Sequence, residues 1–227
     1  TAIWFEGSEI TYGALDIRSN KVANGLIALG VLPNDRIAYL GKNTDLYWEI
    51  LFGANKCRAT MAAINNRLAA PELKFILSDS DAVALFVSKE YFEVVHSIIA
   101  DCPKLKNIFI LDGEHSEWLP FEMWRDKESK KDPCLTHQGN DDVLQLYTSG
   151  TTGLPKGVQL TNNNFLSFFE QARELDWAAY EVGDPVLDAM PFFHIAGVNI
   201  GLLSLIQGSK AVIIREINPD HILDLIE

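Results

Sequence analysis

The chain has 227 residues, 48% of them hydrophobic and 22% charged, enough apolar material for one large domain or two smaller ones. Its formal net charge of −12 excludes a basic nucleic-acid surface and a polybasic membrane patch, since phosphate contacts need clustered Lys and Arg. Three dispersed cysteines, Cys57, Cys102 and Cys134, contain no CxxC pair and suggest neither a disulfide framework nor a zinc site. No apolar run is long enough to span a bilayer, and no signal peptide or glycosylation sequon occurs, so a cytoplasmic location is the default expectation.

In chain order, residues 2–5 and 10–12 flank Glu6-Gly7-Ser8-Glu9 and predict a hairpin. Apolar residues at Leu15, Val22, Leu26 and Leu29 predict a helix that ends against Gly30. Strands and helices then alternate. Strands are predicted over 36–40, 60–64, 82–87 and 107–111, and helices over 45–56, 71–78 and 90–100. Such alternation predicts an α/β fold with parallel sheets and helices on both faces. Residues 112–142 break the rhythm with charge and turn formers, notably Lys127-Glu128-Ser129-Lys130-Lys131-Asp132-Pro133, and are expected to be a solvated connection between subdomains 1–111 and 143–227. Trp118, Trp124 and Trp177 are expected to be packing groups.

Chemistry enters at Thr148-Ser149-Gly150-Thr151-Thr152-Gly153, followed by Leu154-Pro155-Lys156-Gly157. Apolar segments on both sides predict a strand, a Gly/Ser/Thr loop and a return strand, with Thr161 capping a helix. Hydroxyls, glycine backbone and a following lysine suit a polyphosphate, because a backbone without Cβ atoms can approach one closely. Spacing excludes two familiar alternatives. A Walker loop needs Gly-Lys-Ser/Thr, whereas Lys156 lies between Pro155 and Gly157, and no Gly-x-Gly-x-x-Gly run occurs. The remaining alternative is an ordinary surface turn.

The run TSGTTGLPKGV resembles the signature phosphate loop of the adenylate-forming (AMP-dependent) synthetase superfamily, in its acyl-CoA synthetase branch. The resemblance implies that Thr148 to Gly153 and Lys156 bind the ATP phosphates, with Lys156 catalytic. It implies a reaction in which a carboxylic acid and ATP form an acyl-adenylate, which then passes to coenzyme A. Met190-Pro191-Phe192-Phe193-His194 matches the family's following element, so Phe193 and His194 are implied to border the acyl site. Amino-acid-activating relatives carry Phe-Asp there, so Phe193-His194 favours a fatty or aryl acid. Asn66 and Arg67 match the family's early order, but a helix-entry turn is the preferred reading for them.

Departures narrow the expectation. Thr161-Asn162-Asn163-Asn164 stands where the family has Thr-His-x-Asn. The family's Tyr-Gly-x-Thr-Glu element, its ribose-binding Asp and its small C-terminal domain with a catalytic Lys have no counterpart in these 227 residues. The chain is therefore expected to be the N-terminal part of a larger enzyme, inactive by itself, with no metal ligand of its own for Mg²⁺ and with cut apolar surface that promotes self-association. A non-catalytic nucleotide-binding or interaction module that kept the fold is the alternative.

Overall fold

The computed structural model describes residues 1–148, 154–172, 174–175 and 178–226. The chain opens with a hairpin of β1 (Ile3–Phe5) and β2 (Ser8–Ile10), turned by Glu6 and Gly7, both at positive φ. Helix α1 (Tyr12–Ala28) starts where the Thr11 side chain accepts the Ala14 N–H at 3.1 Å, and the chain turns away at Gly30 with φ +80°. The alternating region follows the expected order: β3 (Arg36–Leu40), α2 (Leu46–Lys56), β4 (Thr60–Ala63), α3 (Ala70–Asp79), β5 (Ala84–Val87), α4 (Phe92–Ile98) and β6 (Asn107–Ile110). Every residue of β4 and β5 is buried, as strands covered on both faces require.

The expected solvated connection is only partly one. Within it, β7 (Leu119–Pro120) adds to β6 in parallel and α5 (Phe121–Arg125) folds onto the core, burying Trp118, Phe121, Trp124 and Arg125. Arg125 explains the docking. Its guanidinium donates to Glu49 Oε2 at 2.6 Å, while Arg18 reaches Glu49 Oε1 at 2.8 Å, so a fully buried carboxylate of α2 has two cations. Further on, Asn24 donates to the carbonyls of Ser129 and Lys131, and Asn20 to that of Lys130, so the charged run lies strapped along α1.

The remaining elements are β8 (Asp142–Thr148), β9 (Lys156–Thr161), α6 (Asn162–Ala172), β10 (Pro185–Asp188), α7 (Ile195–Ile206), β11 (Lys210–Ile213) and α8 (Pro219–Ile226). They form two sheets, ordered β7-β6-β5-β3-β4-β8-β9 and β10-β11-β1-β2. All neighbours in the large sheet are parallel except β8 and β9. The sheets cut across the expected division at 112–142. Strand β8 joins the large sheet through β4, whereas β1 pairs with β11, Ile3 opposite Ala211. The physical reason is the hairpin's apolar face: Ile3, Phe5 and Ile10 are buried with Ala211 and Ile213, a non-local contact that strand-by-strand periodicity does not contain.

Helix α2 is the hinge of this packing. Tyr47, Trp48, Glu49, Ile50, Leu51, Gly53 and Ala54 are all buried, so it is covered nearly all round. Each fully buried Leu or Ile on it contributes roughly 1.5–3 kcal/mol relative to exposure. That anchoring fixes the strand ends on which the site is built.

Candidate functional site

Strands β3 and β5 are neighbours, yet the chain leaves β3 toward β4 on one side and β5 toward β6 on the other. In an open parallel sheet this reversal leaves a crevice beyond the carboxyl ends of the strands. A cleft of about 410 Å³ lies there. Lys42 and Asn43 follow β3, Asn66 and Arg67 follow β4, and Tyr91 follows β5; the small sheet contributes Phe193 and Arg215 from beyond β10 and β11. Both sheets thus turn their carboxyl ends toward one opening.

Asn43 joins the sheets. Its Nδ2 donates to the carbonyls of Met190 at 2.9 Å and Ile214 at 3.3 Å, and its Oδ1 accepts the Phe192 N–H at 2.9 Å. Tyr47 adds a bond from its hydroxyl to the Phe192 carbonyl at 3.0 Å. These bonds spend the polar groups of a buried irregular segment that no ladder could satisfy. Phe192 is consequently buried among Tyr47 and Trp48, and Phe193 turns into the cleft.

Gly197 lets the first turn of α7 rest on this segment, since a Cβ there would come within 2.6 Å of the Met190 carbonyl and 2.7 Å of the Pro191 carbonyl. His194 is the N-cap of α7, its Nδ1 accepting the Ala196 N–H at 3.2 Å, and its ring is exposed. An accepting Nδ1 leaves the neutral ring with its proton on Nε2, so the outward nitrogen is a donor.

The cleft carries three cations with different partners. Lys42 pairs with Glu90 at 2.7 Å and Glu216 at 3.1 Å; the Glu90 contact holds its pKa above the ordinary lysine value. Arg215 grips Glu6 with two bonds, 2.7 and 3.0 Å, which hold the Glu6 carboxyl below its usual range. Arg67 lies 5.8 Å over the Phe193 ring. The turn that sequence reasoning assigned to Asn66 and Arg67 is in fact made by Asn65, whose Oδ1 accepts the Arg67 N–H at 3.0 Å. That frees Asn66 to donate to the Gly41 carbonyl and Arg67 to face the cleft.

The expected phosphate loop leaves the same edge of the sheet. Leu146 pairs with Ala63 in parallel, so Tyr147 and Thr148 start beside the segment that carries Asn66 and Arg67. Thr148 and Lys156 face each other as the last pair of the β8–β9 ladder, with Lys156 exposed at the foot of the return strand. Ser149, Gly150, Thr151, Thr152 and Gly153 lie outside the described residues, as does Trp177. Gly157 packs closely under two side chains of β8: a Cβ there would meet Gln145 Nε2 at 2.5 Å and the Tyr147 ring at 3.1 Å, so the end of Gln145 would have to shift. The Asn triplet after β9 is spent locally. Asn164 Oδ1 accepts the Thr161 N–H while Thr161 Oγ1 accepts the Asn164 N–H, a reciprocal cap, and Asn162 donates to Gln138.

The sequence profile of the AMP-binding enzyme family matches residues 1–227. The chain belongs to that family. It is 38% identical over 99% of its length to the fatty acid–[acyl-carrier-protein] ligase ScoC of Streptomyces coeruleorubidus, and 34% identical over its whole length to a feruloyl-CoA synthase of an Amycolatopsis species. It spans 42% and 43% of those two proteins, about two-fifths of their length. The inhibitor-bound N-terminal domain of FACL13 from Mycobacterium tuberculosis superposes with a TM-score of 0.89 at 27% identity, covering 99% of this chain and 55% of that one. The anthranilate-CoA ligase AuaEII, solved with anthranoyl-AMP, superposes at 0.86 and 25% identity, over 96% of this chain and 42% of that one.

No group of three or more His, Cys, Asp or Glu side chains converges as a cation site among the described residues. The acidic groups that face the cleft, Glu216 and the neighbouring Glu90, are occupied by Lys42. No described residue is assigned to Mg²⁺, and no step is routed through it. No helix of the described residues is long and apolar enough to cross a membrane.

Proposed function

We propose that this chain forms the acid- and phosphate-handling part of an AMP-forming acyl-CoA ligase acting on a fatty or aryl carboxylic acid. The observation that supports the reading is the position of the described ends of the TSGTTGLPKGV run: Thr148 and Lys156 pair at the end of the β8–β9 ladder, at the sheet edge that also presents the cleft with Phe193. A substrate carboxylate is already ionised near neutral pH, so it needs no base. One carboxylate oxygen attacks the α-phosphorus of ATP, the bond from that phosphorus to the α–β bridging oxygen breaks, and pyrophosphate leaves with its electron pair.

Thr148, the glycine-rich loop from Ser149 to Gly153, and Lys156 hold the β- and γ-phosphates. Lys156 stabilises charge as it develops on the leaving group. Phe193 forms one wall for the acid. His194, with Nε2–H outward, donates to the acid or adenylate and acts as no general base. The thiol of coenzyme A then attacks the acyl carbon, its proton passes to solvent, the acyl carbon–oxygen bond to the phosphate breaks, and AMP departs with that electron pair. The 38% identity with an acyl-carrier-protein ligase makes a carrier-protein thiol the competing acceptor.

The test is acid-dependent pyrophosphate release by the protein that carries this sequence, with ATP, coenzyme A and a panel of fatty and aryl acids. Lys156→Ala is expected to slow adenylation about 10- to 1000-fold. His194→Phe is expected to change the preference among acids while keeping measurable adenylation. Release with no acid in the panel, together with tight ATP binding, rejects the ligase and leaves a nucleotide-binding module.

A further inference from the structure

Asp188 ends β10, two residues before the cleft-wall segment, and none of its surface reaches solvent. Neither carboxyl oxygen has a hydrogen-bond partner among the described residues. The carboxyl is wedged between two helices. A Cβ on Gly201 of α7 would lie 2.6 Å from Asp188 Oδ2 and overlap the Trp48 ring of α2, so carboxyl, helix backbone and indole edge touch around one point. Trp48 Nε1 and Ser204 Oγ, also buried, likewise lack partners among the described residues.

We propose that Asp188 is carried as a neutral carboxylic acid that seats α7 on β10, and that its ionisation at higher pH unseats α7 and loosens the cleft wall between them. Among the described residues the surroundings offer no charge that would hold a carboxylate. Helix α2 presents Tyr47 and Trp48, the segment before β10 presents Tyr180, and α7 has no charged side chain. On the neighbouring β11, Lys210 turns to Glu9 at 3.7 Å. Burial alone accordingly pushes the Asp188 pKa well above the ordinary aspartate value.

The link to the cleft is covalent and short. Residues 189–194 run from Asp188 to α7, Met190 and Phe192 are tied to Asn43 and Tyr47, and Gly197 of α7 rests on the carbonyls of Met190 and Pro191. A shift of α7 that lets water reach Asp188 moves the support of that segment.

The sign of the pH effect follows from proton counting. Below about pH 4 folded and unfolded chains both hold the proton, and the contribution is complete. Above it the unfolded chain releases the proton while the folded chain keeps it, so stability falls until pH passes the folded pKa. The experiment is denaturant unfolding of the full chain and of Asp188→Asn from pH 5 to 9, with amide exchange of 195–206 followed in parallel. The unfolding constant of the original chain, divided by that of the variant, is expected to rise about tenfold per pH unit and then level off. Exchange in α7 is expected to accelerate with pH more in the original chain than in the variant. A flat ratio, or exchange that changes identically in both, overturns the proposal. If Asp188→Asn does not fold, the ¹³C carboxyl resonance of Asp188 in the original chain decides: protonated at pH 6 supports it, and titration near pH 4 overturns it.

Discussion

Glu49 on helix α2 and Asp188 packed against that helix are both sealed from water, and the fold treats them in opposite ways. Glu49 points toward the strap, where Arg125 and Arg18 bring cations to its two oxygens. Asp188 points toward α7, where no cation and no hydrogen-bond donor engages it among the described residues. Burial raises both pKa values, but at Glu49 the guanidiniums oppose it and at Asp188 no described residue does. One carboxyl is thus kept in the interior by partners, the other by its proton. The lesson is that adjacent residues on a single helix, Trp48 and Glu49, face two interiors with different electrostatics.

The largest expected effect comes from removing a partner on the compensated side. Arg125→Met leaves Glu49 buried with only the more exposed Arg18, and should cost about 3 kcal/mol, the low end of the penalty for breaking a buried pair because Arg18 still compensates in part. The pair Glu49→Met with Arg125→Met should recover most of that, because two apolar side chains need no charge balance. Denaturant unfolding of the two singles and the double reads the coupling directly. A cost below about 1 kcal/mol for Arg125→Met would mean that Asp126, Glu122 and solvent dominate the arginine's environment.

That ion pair also shows where sequence reading stops. Strands over 36–40, 60–63, 84–87 and 107–110 were legible because each is an apolar run between helices with clear turns, and parallel pairing follows from the alternation. The segment from Trp118 to Arg125 was not, since two strand residues and a five-residue helix give no period to detect. Its signal was compositional: Trp-Leu-Pro-Phe-Glu-Met-Trp is too aromatic for a solvated linker. The partner of β1 was invisible because Ile3 and Ala211 are joined only in space.

Phe193, whose role at the acid is a proposal, lies on the cleft wall and stood out in the sequence through its motif. Asn43 did not, because a single Asn in a Lys-Asn-Thr turn looks like any turn residue until its three bonds to the far segment are seen.

On the uncompensated side, Gly201 measures how tightly the neutral carboxyl is held. Gly201→Ala puts a methyl group against the Trp48 ring and Asp188 Oδ2, and should cost about 1–3 kcal/mol through overpacking. The contrast within the same helix is useful. Ala196→Gly, in the partly exposed first turn of α7, tests only helix propensity and should cost about 1 kcal/mol or less. If unfolding titrations give the two variants equal costs, the indole moves aside and the wedge around Asp188 is loose.

The smallest effect sharpens the comparison by reversing its sign. Asp141, where the strap meets β8, is also buried but has partners that outweigh its desolvation: Arg58 donates to its oxygens at 2.9 and 2.7 Å, and the Gln138 N–H adds a third bond at 2.8 Å. The Arg58 bond first, then the Gln138 bond and the nearby charges, hold its pKa below the ordinary aspartate value. A lowered carboxyl stabilises the fold above the unfolded pKa of about 4, and loses that contribution as pH falls through the folded value, opposite to Asp188. Asp141→Asn should therefore cost about 1 kcal/mol at neutral pH, where the charge-assisted bonds are intact, and almost nothing near pH 2. Asp188→Asn should do the reverse, changing little in acid and stabilising increasingly as pH rises. Unfolding midpoints of both variants across one pH series should coincide in acid and diverge as pH rises, and parallel curves would mean that the two carboxyls do not differ in the way their surroundings require.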